Sequence, residues 1–446
     1  MRFLLKTWFL PLKRLFKPKN SRYIKVSCRY SMCYVGPTPV ALILVIDLSA
    51  FTLHIIRTMW VKREISSLIE QTRSTRPALL ITGARQTGKS SLLNRLFPDL
   101  PYVSLDVPLE ARQASENGDF FLTSHGVPLV IDEIQYAPEL FRAIKIQIDR
   151  QRNATGQFIM TGSQQFPSMK GVSESLAGRV SIIHLHSLSA RELSKHFRLV
   201  PTPENILTWI IKGGYPEIYQ HALEPGRFFS DYMATYIERD VRQLINIRNI
   251  RQFDQFMRLL AIRSGQIFSM NRIATEVGVS TNTIKSWISV LEASNIIYLL
   301  KPYFENFGKR IIKSPKLYFL DTGLLCYLMN IQNTEILRNT PLLGAIFETF
   351  ALGQLLRSLH NQGKGDALYY FRDKDGREVD FLIPEGNLLN LYECKWQDES
   401  GEIPKNIKKL IKIFGEETVK QVCTLTTATK NIPISKTFRV SNTIDL

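Results

Sequence analysis

From residue 59 onward the chain alternates short, largely apolar runs with longer stretches in which apolar residues recur every three or four positions. The runs at 78–82, 102–105, 128–131, 157–161 and 180–185 read as strands, and unbroken apolar runs of this kind suit a parallel sheet covered on both faces. Between them Ser90, Ser91, Leu92 and Leu93 open a helix, and Leu140, Ile144 and Ile148 form a helical stripe within 137–150. Strands that alternate with helices predict an α/β core.

The pattern then changes. Residues 204–260 read as helical, most clearly over 231–244 and 251–262. Residues 271–277 predict a short helix, Gly278-Val279-Ser280 a tight turn, and 281–293 a second helix capped by Ser280. In that second helix Ile284, Ile288 and Leu291 fall on the inner side, which leaves Asn282, Thr283, Lys285 and Ser286 outward, and a strand-like stretch follows at 296–300. Near the end, a helix over 344–356 precedes strands at 368–371 and 378–383 around the hairpin signal Lys374-Asp375-Gly376, and a third strand runs over 388–395.

At 446 residues the chain exceeds one ordinary core, and about 150 residues per domain suggests three. The expected boundaries are a parallel-sheet core over 59–200, a helical lid with the helix-turn-helix over 201–303, and an α+β domain over 304–446. Residues 1–58 form an extension with 10 Lys or Arg against the single acid Asp47, so +9 of the net +17 sits there and +8 remains for the rest. That milder excess admits a polyanionic partner without separating nucleic acid from a membrane surface. Cys28, Cys33, Cys326, Cys394 and Cys423 lack the paired spacing of a zinc site or disulfide framework, which suits a reducing, cytoplasmic compartment. Residues 35–56 approach the ~20 apolar residues of a membrane helix, but Asp47, His54, Pro37 and Pro39 weigh against it. Two readings stand: a membrane segment at 35–56, or upstream sequence foreign to the fold with Met59 as the start.

The chemistry concentrates where the first strand ends. Gly83-Ala84-Arg85-Gln86-Thr87-Gly88-Lys89-Ser90 follows that strand and enters the helix, the setting in which backbone N–H groups wrap phosphates. These eight residues with Ser91 are expected to bind ATP, Lys89 reaching the β- and γ-phosphates and Ser90 coordinating Mg²⁺. Asp132 and Glu133 end a later strand; Asp132 would hold the Mg²⁺ shell and Glu133 would orient or deprotonate the attacking water. Thr161 and Ser163, at another strand tip, are placed either to sense the γ-phosphate or simply to cap the strand. Arg179 is a candidate arginine finger for a neighbouring subunit's ATP, in a homo-oligomer, or an ordinary solvated arginine.

The stretches ITGARQTGKSSLL, VIDEIQYAPELF, MTGSQQFPSMKGVSESLAGR, GGYPEIY, YIERDVRQL and KSPKLYFLDTGLL resemble prokaryotic AAA+ ATPases whose core is followed by a domain of unknown function. The similarity covers about residues 59–400 in the family's order and finds no counterpart for 1–58. It implies an AAA+ fold and ATP hydrolysis, and no settled substrate. The helix-turn-helix followed by a strand has the shape of a winged helix, with DNA contact and simple packing as its two uses. Lys309, Arg310, Lys313 and Lys316 add a phosphate-facing candidate, and Glu238, Arg239, Asp240 and Arg242 a set that either bridges lid and core or is solvated.

A second constellation lies in the C-terminal strands. Alternation puts Glu393 and Lys395 on one face, and Asp380 on the neighbouring strand can share it. Two carboxylates and a lysine there suit a Mg²⁺-dependent phosphodiesterase, the acids holding metal and the lysine positioning water. The arrangement resembles the PD-(D/E)xK nuclease fold, and that resemblance implies a further acid from the preceding helix, the position of Glu348. An exposed strand of alternating charge is the plainer explanation. The leading reading is a nucleotide-driven switch or motor acting on nucleic acid; the alternatives are an ATP-regulated metal-dependent DNA nuclease and an ATP-dependent signalling scaffold.

Overall fold

The computed structural model describes residues 59–162, 176–237, 250–303, 313–397 and 402–445, all within one compact unit, Thr58–Leu446. Residues 35–56, Ser163, Glu238, Arg239, Asp240, Arg242, Lys309 and Arg310 lie outside them. Among the described residues, no helix is long and apolar enough to cross a membrane.

The N-terminal part is a five-stranded sheet, all parallel, in the order β2-β3-β4-β1-β5. Its strands are β1 (Ala78–Thr82), β2 (Tyr102–Ser104), β3 (Leu129–Asp132), β4 (Phe158–Gly162) and β5 (Val180–His184). The helices are α1 (Ser66–Thr75), α2 (Lys89–Leu96), α3 (Pro108–Glu116), α4 (Gly118–His125) and α5 (Leu140–Arg150). Every residue of β1 is buried because both faces are covered. Ala78 and Leu80 join a cluster with Phe121, Leu140 and Ile144, whereas Leu79 and Ile81 join Ile65, Ile69, Leu92 and Leu93 on the other side. This double burial explains the apolar runs, and it aligns the C-terminal tips of β1, β3 and β4 along one edge.

Helices α6 (Ala190–Phe197), α7 (Pro203–Lys212), α8 (Pro216–Gln220), α9 (Pro225–Tyr232) and α10 (Ile250–Ile262) follow. Strand β6 (Gln266–Ile267), α11 (Met270–Val277), α12 (Thr281–Ala293), β7 (Ile297–Leu300) and β8 (Lys316–Phe319) come next, the strands pairing antiparallel in the order β6-β8-β7 and the helices sharing a core with α7, α9, α10 and α13. Gly278 at φ 75° supplies the left-handed turn between α11 and α12, and Ser280 Oγ caps α12 by accepting the Thr283 N–H at 3.1 Å. Ile284, Ile288 and Leu291 are buried, while Asn282 and Lys285 are exposed, as the periodicity predicts.

After α13 (Thr322–Leu328) and α14 (Thr334–Asn339), the long α15 (Leu343–Asn361) leads into a six-stranded mixed sheet in the order β13-β14-β12-β11-β10-β9. Its elements are β9 (Tyr369–Arg372), β10 (Glu378–Glu385), β11 (Leu388–Cys394), α16 (Lys405–Phe414), β12 (Val419–Thr426), β13 (Ile432–Pro433) and β14 (Phe438–Asn442). β9, β10 and β11 run antiparallel as the hairpin signal predicts, and β12 lies parallel to β11 through the α16 crossover. Leu352, Leu355 and Leu359 of α15 pack with Phe381 on one face, and Ile407 and Leu410 of α16 pack with Val379 and Leu382 on the other. The pairing of β10 with β9 is irregular between Val379 and Leu382, which brackets Asp380.

Candidate functional site: a phosphate loop facing an acidic strand tip

Gly83 leaves β1 at φ 153°, and Gln86 (φ 60°) and Gly88 (φ 91°) turn the loop back to begin α2. At Gly83 only hydrogen fits: a Cβ would lie 2.1 Å from the Leu185 carbonyl oxygen, because the Leu185 N–H closes on the Thr82 carbonyl at 2.7 Å. Lys89 Nζ is buried and donates to the carbonyls of Gly83 and Ala84, each at 3.0 Å. Burial pulls its pKa down to about 8, against the opposing pull of Glu133 and Asp132. Thr87 Oγ1 donates to the Ala84 carbonyl at 2.9 Å, Arg85 is half-buried, and Gln86 and Ser91 are exposed.

The tip of β3 lies opposite. Ser90 Oγ is 3.0 and 2.8 Å from the two carboxylate oxygens of Asp132, and Tyr102 Oη donates to the same carboxylate at 2.6 Å. Burial and then Asp132 raise the Tyr102 phenol well above its ordinary pKa, so it stays a donor. Thr161 Oγ1 donates to Asp132 Oδ1 and accepts the Glu133 N–H at 3.0 Å, tying β4 to β3. Glu133 itself sits in the left-handed region at φ 56°, which turns its carboxylate out of the strand register toward Gln135 Nε2. Lys89, Ser90, Asp132, Glu133 and Thr161 are thus gathered at one sheet edge. Arg179 is held away from it, with Nε and Nη2 on the Asp149 carboxylate at 2.9 and 3.1 Å.

Two contributors carried no local signal. Tyr102 reaches Asp132 from β2, and Arg63, ahead of α1, donates to the Thr87 carbonyl of the loop at 3.0 Å, to the His186 carbonyl at 2.6 Å and to Glu192 at 3.1 Å. Behind the loop, Asp321 accepts Ser187 Oγ at 3.1 Å and the Gly214 N–H at 2.9 Å, so GGYPEIY and FLDTGLL meet.

A second concavity, of about 570 Å³, opens on the C-terminal sheet and is lined by Glu348, Glu378, Asp380, Glu393, Lys316 and Arg372 among others. Glu348, Asp380 and Glu393 are therefore brought together. Lys395 reaches Glu393 Oε1 at 3.1 Å but is 45 % exposed and lies outside the lining. Lys316 corrects the expectation of a phosphate-facing side chain. It is 3 % exposed, with Nζ 3.0 Å from Glu348 Oε1, in contact with Glu378 Oε1 and 4.0 Å from Asp380 Oδ1. Lys313 remains exposed. Burial, then Glu348 and Glu393, push the Asp380 carboxyl well up, an effect that Lys316 opposes. Among the described residues, no three His, Cys, Asp or Glu side chains are gathered closely enough to ligate one ion.

The strand order, the phosphate loop after β1 and the acid-tipped β3 define an AAA-type P-loop ATPase core. Residues 75–194 match the family described as "AAA domain", and residues 203–335 and 343–443 match two domains of unknown function, DUF8612 and DUF4143. An uncharacterized protein of Mycobacterium tuberculosis is 31% identical over 345 residues, 76% of this chain and 74% of that one. A second, from Methanocaldococcus jannaschii, is 24% identical over 86% of this chain and 85% of its own length. Among solved structures, the Walker-type ATPase PABY2304 of Pyrococcus abyssi aligns at 16% identity and a TM-score of 0.41, over 61% of this chain and 97% of its own. The chain belongs to the prokaryotic AAA ATPase family in which the AAA domain is followed by a C-terminal domain of unknown function.

Proposed function

We propose that the protein binds and hydrolyses ATP with Mg²⁺ and works as a nucleotide-driven switch or motor on nucleic acid. The contact of Ser90 with Asp132 carries the catalytic half of this reading, since it pairs the hydroxyl and carboxylate that a Mg²⁺ shell requires at the mouth of the loop. When bound, Mg²⁺ neutralises charge on the phosphate oxygens. The loop's N–H groups and the α2 N-terminus receive the phosphates. Lys89 exchanges the Gly83 and Ala84 carbonyls for β- and γ-phosphate oxygens. Glu133, turned out of β3, orients the attacking water and takes its proton, while Thr161 keeps Asp132 and Glu133 in register. Arg179 serves a neighbouring subunit's ATP only if it exchanges Asp149 for phosphate oxygens.

The nucleic-acid half rests on the unit from α10 to β8. Its order of elements and β6-β8-β7 sheet suit a winged helix, with Asn282 and Lys285 on the open face of α12 for groove and phosphate contacts. The test is ATP turnover with and without duplex DNA, with Lys89→Ala as the blank. DNA-stimulated turnover that falls in Asn282→Ala/Lys285→Ala supports the reading; turnover indifferent to DNA favours a scaffold, and no nucleotide binding at all overturns both.

A second reading, an ATP-regulated nuclease, is favoured by the convergence of Glu348, Asp380 and Glu393 on one cavity in a β9-β10-β11-α16-β12 arrangement. Plasmid cutting by the wild type and not by Asp380→Ala supports it.

A further inference from the structure

The C-terminal cavity is over-supplied with acid. Glu348 comes from α15, Glu378 and Asp380 from β10, and Glu393 from β11. Burying four carboxylates without compensation is prohibitive, so cations must lie among them. Arg372 takes one oxygen of Glu378 at 3.0 Å, and Lys395 takes one oxygen of Glu393 at 3.1 Å. The centre is filled by Lys316, among the described lining residues the one cation from outside the C-terminal sheet: β8 brings its ammonium onto Glu348 and Glu378 and toward Asp380. One acceptor stays unsatisfied. Glu393 is 5 % exposed and lines the cavity beside the Asn406 amide, and its Oε2 is left without a donor in hydrogen-bond geometry. A buried carboxylate oxygen with no donor is costly unless a ligand supplies its partner.

We propose that Lys316 is an internal cation that latches this cavity shut against a divalent metal ion, and that withdrawing its ammonium frees Glu348, Asp380 and Glu393 to take Mg²⁺ or Mn²⁺. All three offer the hard oxygen ligands these ions select. The ammonium sits on Glu348 and Glu378 and 4.0 Å from Asp380, in space that an ion held by these acids would need. Because β8 is hydrogen-bonded to β6 and β7 and its Leu317 and Phe319 share a core with α11 and α12, the latch joins the cavity to the face that those helices present. The proposal rests on the nuclease-like reading for its choice of ligands, and it requires no cleavage.

The test is Mn²⁺ binding to the full chain without nucleotide, followed by calorimetry and by the loss of free-Mn²⁺ paramagnetic resonance. The variants are wild type, Lys316→Met, Lys316→Arg and Lys316→Met/Glu393→Gln. Lys316→Met should gain about one Mn²⁺ per chain. Wild type and Lys316→Arg should lack that ion, and Glu393→Gln should remove it. If Lys316→Met does not fold, Lys316→Gln keeps a polar end in the same place and is read in the same way. A folded Lys316 variant that gains no Glu393-dependent ion, or a wild type that already binds it, overturns the latch. Plasmid cutting is scored separately: an ion gained without cutting sinks the nuclease and leaves the latch standing.

Discussion

Ser90 Oγ lies within 3.0 Å of both carboxylate oxygens of Asp132, although 42 residues separate them and they belong to different elements, α2 and β3. Each therefore fixes the other before any nucleotide arrives, and Tyr102 and Thr161 hold Asp132 from two further strands. Preorganisation of this kind means that removing the carboxylate charge should damage turnover more than binding. Asp132→Asn is expected to retain fluorescent-ATP binding while kcat falls about 10²- to 10³-fold, the scale for loss of one preorganised electrostatic group. Steady-state phosphate release alongside a binding titration checks this, and an equal loss in both would show that Asp132 serves affinity alone.

Gly83→Ala addresses the geometry of the loop. The added methyl would sit 2.1 Å from the Leu185 carbonyl carbon's oxygen, a backbone atom that cannot swing away, and φ is 153°. Either β5 must separate from β1 or the loop must rebuild. We expect a loss of at least about 2 kcal/mol in urea unfolding, together with lost nucleotide binding. Gly126→Ala is the comparison: a Cβ there meets nothing within 4 Å, so only the cost of φ 79° remains.

How much of this was legible in the sequence depends on where the partners lie. Lys89 and Ser90 open the helix after the glycine-rich loop, and Asp132 and Glu133 come at the end of an apolar run, so local spacing carries their placement. The alternation that set Asp380 and Glu393 on a common face worked for the same reason, since β10 and β11 are joined by a tight turn. Lys316 was misplaced because its partners are 32 to 64 residues away and its neighbours in sequence, Lys309, Arg310 and Lys313, suggested a solvated basic run. Arg63 and Tyr102 gave no signal at all. Their roles come from contacts made across the sheet, with Glu192 lying 129 residues beyond Arg63.

Arg63 supplies the third prediction. Its guanidinium is 6 % exposed and ties Glu192 to the loop carbonyl of Thr87 and the carbonyl of His186. Glu192 also accepts the N–H groups of Glu64 and Ser189, each at 2.8 Å. Arg63→Met removes the cation and strands the charge of Glu192, and breaking a buried pair on one side costs about 3–5 kcal/mol. Arg63→Met/Glu192→Gln should recover part of that loss. Nucleotide affinity should stay low in both, because Thr87 loses its anchor in either case; a double mutant cycle in urea with a binding titration tests the two halves.

The last prediction concerns acid. His184 Nδ1 lies 2.9 Å from Thr82 Oγ1, directly before the phosphate loop, and His186 Nε2 lies 2.7 Å from His360 Nδ1 on α15. Burial, and then His360, pull His184 down to about 4 and His186 well below 6.5. Both rings are thus neutral when folded, whereas an unfolded histidine takes up its proton near 6.5. The unfolded chain therefore binds more protons as pH falls below that point, and stability declines until the folded ring protonates too, near 4 for His184. Each histidine contributes up to about 1.4 kcal/mol per pH unit within that window, with full stability above it. Urea midpoints at about pH 7 and about pH 5 should differ accordingly. His184→Gln keeps a polar partner for Thr82 and cannot titrate, so it should reduce the slope to the share that His186 supplies while leaving stability near neutrality close to that of the wild type. An unchanged slope would mean that His184 takes up its proton as readily in the folded chain as in the unfolded one.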